Sequence, residues 1–343
     1  MEKILYLDCS MGAAGDMLAA ALLELLPERE RTEFVEEFNA IGIPSVVMLA
    51  SPSEKCGVVG THVTMDINGR IEGECEHEHA HSHMHTYSHD DCCEHEHTHS
   101  HAHSNCNEHK HTHSHSHGHA HGHSHDDYCE YEYAHGHEHG DYCEYEYAHG
   151  HEHGDYCEYV HTHSQAGNAH AHRGVHDIEH IICNHIKLSD KTKQDILSVY
   201  NIIAEAESRV HGVPITDIHF HEVGTLDAIA DVTAVCMLID RIAPDRIVAS
   251  AVNTGSGHVH CAHGILPVPA PATADILIGV PVYSNEIKSE LCTPTGAALL
   301  KHFVTEFGNM PRMTLDAIGY GMGTKDFELA NCVRAMLGTE TEL

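Results

Sequence analysis

The sequence predicts an α/β or α+β core that is interrupted by a long histidine-rich insert. Three observations carry this expectation. Short apolar runs alternate with Ala- and Leu-rich stretches at both ends of the chain. Residues 72–176 hold 31 of the 41 histidines and almost no aliphatic side chains. The remainder is long enough for one large domain or two small ones. The expected organisation is therefore 1–71 as the first part of the core, 72–176 as the insert, and 177–343 as the rest of the core.

Lys3–Leu7 is an apolar run that ends at Asp8, which predicts a buried strand. Ser10-Met11-Gly12-Ala13-Ala14-Gly15-Asp16 is a glycine-punctuated turn. Met17–Leu26 predicts a helix closed by Pro27, and Glu28–Ala40 a second helix stopped by Gly42 and Pro44. Ser45–Ala50 and Val58–Ile67 have strand composition. After the insert, Ile178–Ile186 and Ser189–Val210 predict helices, the second capped by Ser189 or Asp190. Ile215–Phe220 predicts a strand. Thr225 caps a helix expected to run to Ile242, and Arg246–Val252 follows as a buried strand. Val268–Ile278 starts with prolines and turns helical, Pro281–Tyr283 is extended, and Thr295–Phe307 is helical, entered from Thr293-Pro294.

Within the insert, histidine alternates with Ser, Ala, Gly, Thr or Glu, as in His111–His125. Asp127–Gly140 reads DYCEYEYAHGHEHG, and Asp141–Gly154 repeats it without change. The unit offers only Tyr, Ala and Cys for packing, so the segment is expected to be disordered without metal. Neutral imidazole binds nickel, zinc and copper. Alternate residues of an extended chain share a side, so His-x-His pairs can chelate. His111, His113, His115, His117, His119, His121, His123 and His125 are thus candidate weak, exchangeable sites. A solvating acidic linker is the alternative, and composition does not choose the metal.

The net charge of −34 and the lack of a basic cluster argue against nucleic acid as a partner. Met17–Leu26 is short and contains Glu24, so it is no membrane span. No signal peptide is evident, which predicts a cytoplasmic protein. The 14 cysteines are then thiols or ligands, and seven of them lie in the insert.

Three clusters could carry chemistry. His219-Phe220-His221-Glu222-Val223-Gly224 precedes Asp227 and Asp231, which share a helix face. Two imidazoles and up to three carboxylates near a helix start suit a divalent cation or a metal-bound phosphate. The alternative is a capped helix with solvated acids. His258, His260, Cys261 and His263 sit in the glycine-rich run 255–264, either as metal ligands or as surface residues of a turn. Gly12 and Gly15, Gly319–Lys325, and Thr293 with Thr295 and Gly296 could cradle phosphate, although none has Walker or dinucleotide spacing. Tight turns and helix caps are the plainer explanations. No nucleophilic serine or cysteine signature is present.

Several stretches together resemble the LarC family of nickel insertion proteins. They are 8–17 (DCSMGAAGDM), His219–Gly224 with Asp227 and Asp231, 263–272 (HGILPVPAPA), 290–298 (ELCTPTGAA) and 319–324 (GYGMGT). They stand in the family's order and span nearly all of the core. The resemblance implies a nickel chelatase or cyclometallase of the lyase class. It would insert nickel into pyridinium-3,5-bisthiocarboxylic acid mononucleotide, making the pincer cofactor of lactate racemase-like enzymes. Nickel–sulfur and nickel–carbon bonds form, with CTP and magnesium or manganese. His219, His221 and Glu222 are expected near the metal. Asp8 and Asp16 are expected to bind magnesium or the ribose-phosphate, carboxylates are expected to take the displaced proton, and Asp227 and Asp231 are further candidate catalytic residues. The family's C-terminal CTP-binding domain is expected to be absent, which makes a partner polypeptide carrying it, and a recipient racemase-like enzyme, the implied partners. Cys9 and Cys292 are given no catalytic duty.

Two other readings stand beside this one. A non-catalytic nickel or zinc store would use the insert alone. A nucleotide-dependent enzyme would use the glycine-rich pieces.

Overall fold

The computed structural model describes residues 2–71, 173–220 and 222–341. All lie in one unit, Met1–His77 with Gln165–Leu343. The insert, its tandem repeat, its expected disorder and the candidate ligands His111–His125 fall outside the described residues. Residues 173–176, which composition assigns to the insert, are the exception and belong to regular elements.

The first segment holds β1 (Lys3–Asp8), α1 (Gly15–Glu24), α2 (Glu28–Ala40), β2 (Val46–Lys55), β3 (Val58–Ile67) and β4 (Arg70–Ile71). The chain resumes with β5 (Arg173–Gly174), α3 (Val175–His180), a π turn at Ile181–His185 and α4 (Asp190–His211). Then come β6 (His219–Phe220), α5 (Leu226–Ile242), β7 (Arg246–Ala249), β8 (Val252–Asn253), β9 (His258–Cys261) and β10 (Gly264–Pro267). The last elements are α6 (Pro271–Ile276), β11 (Val282–Tyr283), α7 (Pro294–Phe303), β12 (Glu306–Phe307), β13 (Met313–Met322) and β14 (Cys332–Glu340).

The main sheet runs β12-β7-β1-β14-β13-β3-β2, with β4 beside β3. It is mixed: β12, β7 and β1 are parallel, β14 is antiparallel to β1 and β13, and β13 is parallel to β3. The fold is therefore α/β in content with a mixed sheet. Helix α1 lies on β13, β3 and β14, and α5 packs against α1. Seven consecutive residues of α1, Met17–Leu23, are buried. A helix apolar all round is what this sandwiched position demands. Leu18, Leu22 and Leu23 each contribute about 1.5–3 kcal/mol by leaving water.

Several elements differ from the sequence expectation. Ile215–Phe220 is a 3-10 turn followed by the two-residue β6, because Pro214 and Asp217 favour a turn. Strand β2 continues past Ala50 to Lys55, and Pro52 is tolerated because β2 is an edge strand. Helix α7 stops at Phe303, and Glu306–Phe307 joins the sheet instead. The glycine-rich run around His258–Gly264, by contrast, is a β-hairpin with its histidines exposed, which agrees with the turn alternative.

The largest difference is at the C-terminal end. The run Gly319–Lys325, considered above as a phosphate loop or a tight turn, begins inside β13, between β14 and β3. A Cβ on Gly319 would overlap the Ala21 carbonyl, and one on Gly321 the Met17 carbonyl. These glycines let α1 lie directly on the sheet.

Among the described residues, no helix is long and apolar enough to cross a membrane.

Candidate functional site

Three helices begin beside one cavity of about 340 Å3. Ala14, Gly15 and Asp16 stand at the start of α1. Thr225, Asp227 and Ala228 stand at the start of α5, and Thr293, Pro294 and Thr295 at the start of α7. Strand β3 supplies a wall from His62 to Met65, and Asp231, Glu290 and Thr324 complete the polar lining. The volume suits a small ligand.

Backbone pairing explains why helix starts so distant in sequence meet. Ala13 N donates to Leu291 O at 3.0 Å, and Thr293 N donates to Ala13 O at 3.0 Å. The turn before α1 and the turn before α7 are thus zipped together. Gly12 has φ +83°, and a side chain there would overlap the Leu291 carbonyl. A Cβ on Gly296 would overlap the Ala13 carbonyl. Gly15 meets α5: its Cβ would lie 2.7 Å from that of Asp231. Asn253, fully buried, donates from Nδ2 to Ser10 O at 2.9 Å and pins the same turn.

Helix starts expose unpaired N–H groups and a partial positive charge. Thr225 Oγ1 accepts from Ala228 N at 3.3 Å, and Thr293 Oγ1 accepts from Gly296 N at 3.2 Å. Both threonines therefore cap their helices. Asp16 and Asp227 lie in the first turns of α1 and α5, where the helix dipole favours negative charge. Asp231 is 8% exposed. Behind it, Tyr200 is buried and donates to Val223 O at 3.2 Å. Burial, then the nearby Asp231 charge, push the Tyr200 phenol well above its ordinary pKa, so it stays neutral.

His62 has a defined orientation. Its Nδ1 lies 3.0 Å from Met322 O. A carbonyl only accepts, so Nδ1 carries the proton, and Nε2 of the neutral ring keeps its lone pair. The same arrangement orients histidines that bind metals. His62 escapes sequence reasoning because a single histidine in a strand carries no signal. Glu290 and Thr324 lie in stretches already singled out, but their spacing does not reveal that they face one cavity.

Of the residues named from sequence, the cavity gathers Asp16, Asp227, Asp231, Gly15, Thr293 and Thr295. Gly12 and Gly296 serve backbone contacts beside it. Asp8 does not line it. Both Nε and an NH2 of Arg334 donate to its Oδ2, and Ser10 N donates to Oδ1. Burial alone would raise the Asp8 pKa, but these bonds outweigh it and hold it below the ordinary value. His219 is an exposed residue of β6 opposite Gly174. His258, His260 and His263 are exposed on the β9–β10 hairpin, where the His263 ring lies 4.8 Å from that of His211. His221 and the side chain of Glu222 lie outside the described residues. Among the described residues, no three His, Cys, Asp or Glu side chains converge on a point that would hold a metal ion. Cys9 and Cys292 are buried; burial raises both thiols, Cys292 to about 12, and keeps them protonated.

Fold and cavity define an α/β protein with a cavity of small-ligand size at converging helix starts. The model of a family described as nickel insertion protein matches residues 5–142 and 135–343, and the chain belongs to that family. Three curated relatives agree. The pyridinium-3,5-bisthiocarboxylic acid mononucleotide nickel insertion protein of Staphylococcus saprophyticus is 44% identical over 174 residues, 51% of this chain and 44% of the relative. That of Clostridium kluyveri is 45% identical over 168 residues, 49% of this chain and 42% of the relative. A putative nickel insertion protein of Rhodopirellula baltica is 43% identical over 173 residues, 50% of this chain and 44% of the relative. The chain thus matches under half the length of these relatives. No solved structure matches.

Proposed function

We infer that this chain takes part in inserting nickel into pyridinium-3,5-bisthiocarboxylic acid mononucleotide, with the helix-start cavity as the place of reaction. The observation that carries this reading is the pairing of opposite chemistries in one cavity. Helix starts favour the phosphate of a mononucleotide. Asp16, Asp227, Asp231 and Glu290, with the oriented Nε2 of His62, favour a cation and can take up a proton.

Nickel is the cargo here, delivered as a divalent ion. Each thiocarboxylate sulfur gives it a bond, and the ring carbon between them exchanges its proton for nickel. That proton needs an acceptor, and His62 Nε2 or the Asp227 carboxylate can supply one. His219, His221 and Glu222 follow shortly before α5 in the chain and remain candidate ligands for incoming nickel. The hairpin histidines His258, His260 and His263 are the more remote candidates. CTP, with magnesium or manganese, carries over from the resemblance; the described residues bring no three ligands together for such an ion. The reading places the protein in the cytoplasm. The partner this reading implies is a recipient lactate racemase-like enzyme.

The test is nickel insertion by the purified chain, read by mass spectrometry of the nucleotide, with and without the family's C-terminal domain. Asp227→Asn and His62→Gln are each expected to slow adduct formation at least about 100-fold, which corresponds to roughly 2.7 kcal/mol of barrier. Wild-type rates in the double variant would remove the cavity from the mechanism.

A second reading, a nickel or zinc store, is favoured by the 31 histidines of the insert. Removal of residues 78–164, which lie outside the unit holding the cavity, separates the two. Insertion surviving at plentiful nickel supports the enzyme, and loss of every metal-linked function supports the store.

A further inference from the structure

The helical segment after β5 carries metal-binding side chains on its exposed side. Ile178, Ile182 and Ile186 are buried at 1%, 0% and 2%, an apolar stripe at four-residue spacing that anchors the segment to the core. The opposite side presents His176, Glu179, His180, Cys183 and Asn184, all exposed, around a separate cavity of about 230 Å3.

The spacing of these residues matters. His176 and His180 are four apart on α3, so their rings rise from one face a turn apart. With Glu179 they make a His-x-x-Glu-His run, a helical spacing that holds zinc between two imidazoles. Cys183 follows three residues later, in the π turn. Such turns are rare and gather at functional sites. This one also brings the His180 and His185 rings to 5.2 Å.

We propose that His176, His180 and Cys183 form a binding site for a single late first-row divalent ion of the nickel or zinc class, separate from the helix-start cavity. Two imidazole nitrogens and a thiolate select such ions over magnesium or calcium. Cys183 binds as the thiolate and releases its proton to solvent. Glu179 and His185 stand beside the three as further donors. The side chains do not yet converge on one point. Among the described residues no hydrogen bond or ion pair restrains the side chains of His176, Glu179, His180 or Cys183, so their rotamers can change on binding. In the chain the segment directly follows the histidine-rich run. The site stands whether or not the other cavity inserts nickel.

The experiment is cysteine-resolved alkylation of the reduced, full-length chain. Iodoacetamide labelling is read by peptide mass spectrometry, with and without nickel added beyond the capacity of the histidine-rich segment, and again with zinc. The ion is expected to slow labelling of Cys183 at least tenfold and of Cys56, exposed on the β2–β3 turn, less than twofold. In the His176→Ala/His180→Ala variant, both positions being exposed, Cys183 should label at its metal-free rate. Equal labelling of Cys183 with and without either ion, or protection that survives the double substitution, overturns the site. Labelling does not depend on turnover, so failure here and failure of the insertion reading are distinguishable.

Discussion

The helix-start cavity and the β9–β10 hairpin both hold residues that bind metals, yet they are built in opposite ways. The hairpin is a local structure. His258 and His260 are two residues apart, and nearly every side chain around them meets water. The cavity is assembled from chain segments more than 200 residues apart, held by backbone bonds between residues 13 and 291–293 and by glycines at each contact. Ligand-type residues are cheap to place on a surface. Placing carboxylates, helix starts and an oriented imidazole in one cavity requires the whole fold, and that requirement identifies the cavity as the better candidate.

If the cavity depends on close backbone contact and the hairpin does not, the same substitution should have unequal effects in the two regions. Gly321→Ala drives a methyl group into the Met17 carbonyl of α1. It should cost about 3 kcal/mol, seen as a lower urea midpoint. Gly264→Ala, in the hairpin, meets open space but keeps φ at +103°. It should cost about 1 kcal/mol, for the backbone alone. Equal losses would mean that α1 does not rest on β13 as described.

These glycines also show where sequence reading stops. Helix α2 and strand β3 match the expected bounds residue for residue, because their signals are local: Pro27 and Gly42 bracket the first, and β-branched residues fill the second. Strands β13 and β14 were not expected at all. Gly319 and Gly321 look like loop residues until α1 is laid on them, and nothing within ten residues announces α1. The site divides in the same way. Asp16, Asp227, Thr293 and Thr295 are legible because they sit at helix starts. His62 is not, since its role comes from a bond to Met322, 260 residues away.

A smaller effect tests how firmly the turn before α1 is held from the sheet side. Arg334→Gln removes the guanidinium from nearly buried Asp8. The loss should be about 1–2 kcal/mol at neutral pH. The folded-state pKa of Asp8 is depressed, so the pair's stabilisation is present above the ordinary aspartate value and disappears as pH falls through the folded value. Wild type and variant should therefore differ at pH 7, and in acid denaturation profiles the gap should narrow as pH falls below the ordinary aspartate value. A constant gap across that range would place the effect in packing of the arginine stem rather than in charge.

The smallest expected effect lies in the hairpin itself. His258→Ala, His260→Ala and His263→Ala combined remove three imidazoles that the sequence nominates as metal ligands and the fold leaves at the surface. Substitutions at such positions usually change stability by less than about 0.5 kcal/mol. The His263 ring does lie against His211, which Glu207 holds at 3.2 Å, so a few tenths of this come from that contact. Nickel insertion, if it occurs in the helix-start cavity, should stay within about twofold of wild type at plentiful nickel. A large loss of insertion in a stably folded triple variant would reverse the comparison: the exposed hairpin would then be the place where nickel is held, and the carboxylate cavity only the seat of the nucleotide.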